Sequence, residues 1–145
     1  MKILVADGVS PKGIEILQKA GFETVIKDKL PAEELLEIIP DFDGLIVRSA
    51  SKVTKEVIER AKKLKIVGRA GVGTDNIDIN AATAHGIMVI NSPGGNTIAA
   101  TEHTMGMMMA MARNIAVANE TMQHGEWNRK KYTGVELRGK TLGVI

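Results

Sequence analysis

The chain has 145 residues, 44% of them hydrophobic and 25% charged, with a formal net charge of +2. Basic and acidic residues are interleaved and aromatics make up 3%, which argues against a nucleic-acid surface with its concentrated cations and stacking rings. Absence of cysteine excludes disulfides and thiolate chemistry, and the apolar start at residues 3–6 is too short for a signal peptide or membrane span, so a soluble cytoplasmic protein is expected.

Residues 3–6 read as a buried strand that ends at Asp7-Gly8. A helix opens at Ser10-Pro11, keeps Ile14, Leu17 and Ala20 on helical spacing, and stops at Gly21. Residues 24–26 form a second strand. A helix over 31–39 follows, with proline in its first turn and acids near its N-terminus, and ends before Pro40. Asp43-Gly44 leads into a third strand at 45–47, a helix at 54–64 and a fourth strand at 66–67. A short helix over 78–85, closed by Gly86, precedes a fifth strand at 87–90.

Alternating strands and helices predict a parallel sheet with right-handed crossovers. The strands are continuous apolar runs, so both faces of the sheet are expected to be covered. Residues 1–95 therefore predict one α/β domain of flavodoxin-like order. Residues 97–120 then read as one long helix. Its Met105, Met108, Met109 and Met111 point nearly all round, which predicts burial on most sides, in a core or a subunit interface. The basic segment around Trp127 is irregular, and 140–145 reads as another buried strand, the first of a second α/β domain. Residues 96–145 are thus expected to begin a separate domain.

The chemistry concentrates in residues 65–78, where an apolar run breaks into Gly68, Gly71 and Gly73 with Arg69 among them. Glycines allow close approach and their backbone N–H groups suit an anion, so this turn predicts a pocket for a small carboxylate or phosphate. A plain tight turn is the alternative. Gly71-x-Gly73-x-x-Asn76 is not a dinucleotide fingerprint, because the third glycine is missing. Arg48 follows the third strand at its carboxyl end, as Arg69 follows the fourth; each is either an anion ligand or a partner in a surface salt bridge. Thr74, Asp75, Asn76 and Asp78 are most simply helix caps. His85, His103 and His124 have no metal-ligand spacing, and no Gly-x-Ser-x-Gly elbow surrounds any serine, so no metal centre and no serine nucleophile are expected. Asp7 suits a phosphoryl-accepting receiver, but Arg48-Ser49 stand where that module needs its aspartate.

Four segments together carry a resemblance: Leu45-Ile-Val-Arg-Ser-Ala-Ser-Lys-Val-Thr, Val67-Gly-Arg-Ala-Gly-Val-Gly-Thr-Asp-Asn-Ile-Asp, Asn91-Ser-Pro-Gly-Gly-Asn-Thr and Gly125-Glu-Trp-Asn-Arg-Lys-Lys-Tyr. In order and spacing they resemble the NAD-dependent D-2-hydroxyacid dehydrogenases. The Val-Arg-Ser and Trp-Asn-Arg-Lys-Lys segments point to the phosphoglycerate branch. The resemblance implies a substrate domain first, then a Rossmann domain whose Gly-x-Gly-x-x-Gly would directly follow Gly143-Val-Ile145. The chain is therefore expected to be an inactive N-terminal part, without the dinucleotide fingerprint and without a catalytic residue.

For the parent protein the resemblance implies NAD-dependent oxidation of 3-phospho-D-glycerate to 3-phosphohydroxypyruvate, in serine biosynthesis. The alternatives are another hydroxyacid substrate (glyoxylate, hydroxypyruvate or lactate) or a non-enzymatic dimerisation module. By the same resemblance Arg48 and Arg69 hold the anionic end of the substrate, and the Val72 and Gly73 amides hold its carboxylate. Val72 also touches the nicotinamide end of the cofactor. Asn96 is a helix cap or a substrate contact. Arg129, with Lys130 and Lys131, completes the phosphate site or is a solvated basic loop. A homodimer or homotetramer through the helix at 97–120 is expected.

Overall fold

Five short strands, β1 (Lys2–Val5), β2 (Glu23–Ile26), β3 (Gly44–Val47), β4 (Ile66–Arg69) and β5 (Met88–Asn91), pair in parallel in the order β2-β1-β3-β4-β5. The coordinates are a computed structural model that describes residues 1–144. The helices between the strands are α1 (Pro11–Lys19), α2 (Ala32–Ile38), α3 (Lys55–Arg60) and α4 (Ile79–Ala84). A 3-10 turn, Ile39–Asp41, extends α2 past Pro40. The order is the flavodoxin-like one predicted, and the strand sites agree to within one or two residues.

Local chemistry sets the helix ends. The side chains of Ser10, Thr54 and Asp78 accept the N–H groups of Gly13, Val57 and Ala81, each capping a first turn. Gly21 and Gly86 close α1 and α4 at φ of +83° and +68°, a region that glycine enters without penalty. Helix α3 stops at Arg60 rather than reaching 64, because Leu64 turns inward, 6% exposed, to join the core ahead of β4.

Packing is unequal on the two faces. Leu4, Leu45 and Val67 meet α2, α3 and α4 through Leu35, Val57, Ile58 and Ala82 in the main core. On the opposite face Ile3, Val5 and Ile14 form a smaller cluster under α1. Both faces are covered as expected, but the second only beneath α1. Three crossovers step in one direction along the sheet and so lie on one side, while the β1-to-β2 crossover steps the other way. Met88 and Ile90 on β5 remain 61% and 49% exposed, and an apolar cavity of about 550 Å³ opens beside α1.

Two further links tie the sheet together. At the amino ends of the strands, the Asp43 carboxylate accepts the Lys2 N–H at 2.8 Å, with Lys65 Nζ 3.6 Å away. That backbone donor chiefly holds the Asp43 carboxyl below its ordinary 3.8. At the carboxyl ends, Val53 and Ile77 form a parallel bridge between the loops after β3 and β4, with Val53 N donating to Asn76 O and Asp78 N to Val53 O.

The chain divides into two units, Met1–Asn96 and Thr97–Ile145. In the second unit the single helix predicted over 97–120 is instead two, α5 (Thr97–Ala112) and α6 (Ile115–Gln123). Asn114 sits between them in the left-handed region, at φ 53°. The Ala112 carbonyl accepts from Val135 N at 2.8 Å instead of continuing the helical ladder, and asparagine tolerates the resulting turn. Neither helix has a buried residue within this chain: Met105, Met109 and Met111 are 46%, 50% and 77% exposed, so they do not form an intramolecular core. The buried strand predicted at 140–145 is not formed over 140–144, where no neighbouring strand takes up its backbone groups; Ile145 lies outside the described residues. No helix among the described residues is long and apolar enough to cross a membrane.

Candidate functional site

At the carboxyl ends of β3, β4 and β5 the first unit has a cavity of about 590 Å³, lined among others by Arg48, Arg69, Val72, Gly73 and Asn96. No lining residue is acidic. The pairing Val47↔Arg69 puts Arg69 on the strand next to Arg48's, so the two guanidinium groups share one rim. Arg48 is exposed, and its Nη1 donates to the Gly8 carbonyl at 3.3 Å. Arg69 is half-buried, and its buried Nε has no hydrogen-bond acceptor. Among the described residues neither arginine pairs with a carboxylate. Two uncompensated cations in a concave site raise the local concentration of anions.

The turn that follows is held by its carbonyls. Ser92 N donates to Gly71 O at 2.9 Å and Asn91 Nδ2 to Val72 O at 2.7 Å, both from the end of β5. Ala70 N donates back to Val47 O and Gly71 N to Arg69 O. The N–H groups of Val72 and Gly73 donate to no acceptor among the described residues. A Cβ at Gly71 would stand 2.0 Å from Arg69 Nη1, so the guanidinium folds over the turn into space that a side chain there would take.

Arg48, Arg69, Val72, Gly73 and Asn96 thus meet at one cavity. Arg129 belongs to the second unit, where it is exposed and lines a cavity of about 430 Å³ with Lys130 and Thr133. Nearby, the Tyr132 hydroxyl is drawn below its ordinary 10.0, first by its hydrogen bond with Thr121 and then by Lys131. Lys131 is raised by that same Tyr132 contact and lies over the ring, 5.3 Å from its centre.

Of the four residues read as caps, Asp78 alone caps α4, and Asn76 does something else. Its Nδ2 donates to the carbonyls of Arg48 and Ser51, both at 2.6 Å. Asp7 and Ser51, buried at 5% and 7% exposure, were missed as members of the site's support. An aspartate directly after a buried apolar strand was the available signal.

The model of the D-isomer specific 2-hydroxyacid dehydrogenase catalytic domain matches residues 3–133. The chain is 52% identical to the D-3-phosphoglycerate dehydrogenase of Archaeoglobus fulgidus and 54% identical to that of Methanocaldococcus jannaschii, each over all 145 residues. It spans about 28% of the length of these curated relatives. Among solved structures, the NAD+-bound 3-phosphoglycerate dehydrogenase of Entamoeba histolytica superposes with a TM-score of 0.71 at 42% identity, covering 78% of this chain and 39% of that one. The TT0316 protein of Thermus thermophilus gives a TM-score of 0.86 at 30% identity, covering 96% of this chain and 46% of that one.

Proposed function

The chain belongs to the D-isomer specific 2-hydroxyacid dehydrogenase family, and on that premise we propose that it is the substrate-binding part of a cytoplasmic D-3-phosphoglycerate dehydrogenase. The whole enzyme would oxidise 3-phospho-D-glycerate to 3-phosphohydroxypyruvate with NAD, the step that commits carbon to serine. One observation carries this reading: among the described residues, two arginines without a carboxylate partner and two backbone N–H groups without an acceptor share a cavity that no carboxylate lines. A phosphorylated 2-hydroxy acid is anionic at both ends and calls for such a pair of sites. Arg48 and Arg69 would neutralise the phosphate, because a planar guanidinium meets two phosphate oxygens at once. The Val72 and Gly73 N–H groups would hold the carboxylate, with Asn96 at the same rim. Arg129 would complete the phosphate site.

The turn after β4 does not fit a dinucleotide pyrophosphate. After β4 the turn lacks a third glycine, and the helix it leads to begins with the Asp78 carboxylate on its own first turn, where a pyrophosphate would be repelled. Val72, 42% exposed at the cavity, is the proposed contact for the nicotinamide end. Turnover by this chain alone is not expected. The apolar surface of α5 is proposed to be covered in a homodimer or homotetramer, which sedimentation of the whole enzyme would reveal.

Titration of this chain with 3-phospho-D-glycerate and with D-glycerate tests the reading. Arg48→Ala should weaken the phosphorylated acid about tenfold or more, the scale of one lost charge-assisted hydrogen bond, and leave D-glycerate within about twofold. Equal binding of the two acids by the unaltered chain would sink the phosphate assignment.

A further inference from the structure

We propose that Asp7 and Asn76 are positioning residues that lock the loop at 48–51 from opposite sides, and that this lock sets the preference for a phosphorylated acid over its unphosphorylated counterpart. The inference rests on the reading of Arg48 as a phosphate ligand.

Asp7 and Ser51 are the buried polar side chains among the described residues, and they are bonded to each other. Burying a carboxylate is costly unless donors surround it. Here Asp7 Oδ2 accepts the N–H of Arg48 at 2.6 Å and of Ser51 at 3.1 Å, while Oδ1 accepts the Ser51 hydroxyl at 2.8 Å. These donors lie 41 and 44 residues along the chain. Ser10, not Asp7, caps the helix that follows β1, so local capping does not account for the burial.

From the other side the Asn76 amide donates to the Arg48 and Ser51 carbonyls, 28 and 25 residues away. Each end residue of the loop therefore has both its N–H and its C=O fixed, one by Asp7 and one by Asn76. Ser49 and Ala50 between them are exposed. With its backbone held at both groups, Arg48 presents its side chain from a fixed base beside Arg69. Ordering that is complete before the ligand arrives does not have to be supplied by binding. Asp7 and Asn76 bond Arg48 directly and make no hydrogen bond to Val72 or Gly73, so the lock should act more on the phosphate end of a ligand than on the carboxylate end.

The test uses this chain, 3-phospho-D-glycerate and D-glycerate as probes, and amide hydrogen exchange as an independent readout. Asp7→Asn and Asn76→Ala are expected to raise the Kd for 3-phospho-D-glycerate about tenfold, Ser51→Ala about threefold. The Kd for D-glycerate should stay within about twofold, and exchange at the Arg48 and Ser51 amides should accelerate. Equal weakening of both acids would make the knot merely structural and overturn the proposal. So would faster exchange with both affinities unchanged. If Asp7→Asn does not fold, Asn76→Ala and Ser51→Ala decide by the same ratio. Arg48→Ala separates the two layers: if it weakens 3-phospho-D-glycerate but the lock variants do not, the lock alone fails. If Arg48→Ala itself has no effect, the underlying reading fails and the lock's purpose with it.

Discussion

Residues 1–96 and 97–144 are built from equally apolar stretches and reach opposite results. In the first unit, strands of four residues bury Leu4, Leu45, Val47 and Val67 almost completely, because three helices lie across them. In the second, a helix with Ile98, Met105, Met107, Met109 and Met111 buries none of them. The difference lies in pairing and not in hydrophobicity. A strand is already flanked by neighbours that make a surface for helices to close, whereas a helix apolar all round offers no preferred face to the rest of its own chain. Apolar character on every side is a property that only a surrounding structure can satisfy, and within the second unit nothing surrounds α5.

The contrast can be broken in several ways, taken here from the largest expected effect to the smallest. Leu45→Ala, at a position 1% exposed, should cost about 2–5 kcal/mol in urea denaturation through the cavity it leaves. A smaller loss would mean that the main core is looser than its burial implies. Gly71→Ala acts on the site and not the core: its methyl collides with Arg69 Nη1, so 3-phospho-D-glycerate should bind roughly tenfold more weakly at an almost unchanged unfolding midpoint. Unaltered affinity would show that Arg69 does not need its place over the turn.

Acid gives a third probe. Asp43 has a folded-state pKa below its unfolded value, so its contribution is present above the unfolded value and is lost as pH falls through the lower, folded one. The urea midpoint should therefore fall with acidification below about pH 4, and Asp43→Asn should flatten that part of the profile. An identical profile in the variant would remove Asp43 from the acid response. Last, Met111→Ala on the 77% exposed position should change stability by no more than about 0.5 kcal/mol. A loss comparable with that of Leu45→Ala would erase the distinction between the two units.

The strands were legible because each is a short apolar run with Gly or Asp close to one end at least, and their order followed from the crossover rule. The unequal coverage of the sheet was not. It depends on the direction in which each crossover steps, which no single segment encodes. The break at Asn114 was hidden for a similar reason, since the Ala112 carbonyl is claimed by Val135, far beyond any helical window. Arg48 and Arg69 could be placed side by side from sequence, being first after β3 and last in β4. The role of Asn76 could not, because its partners are 25 and 28 residues away and its neighbours Thr74, Asp75 and Asp78 spell a helix start. In each case local chemistry was readable, and what a distant backbone group did to it was not.

The Val53–Ile77 bridge has a consequence for discrimination. It fastens the loop bearing Arg48 to the loop after β4, so the backbone that carries the guanidinium and the Val72 and Gly73 amides ride on one body. Their separation is then a dimension of the protein and not a response to whatever arrives. On the proposed reading the cavity works as a ruler. An acid whose two charged ends are one carbon too close can engage either end, but the chain will not shorten to let it engage both.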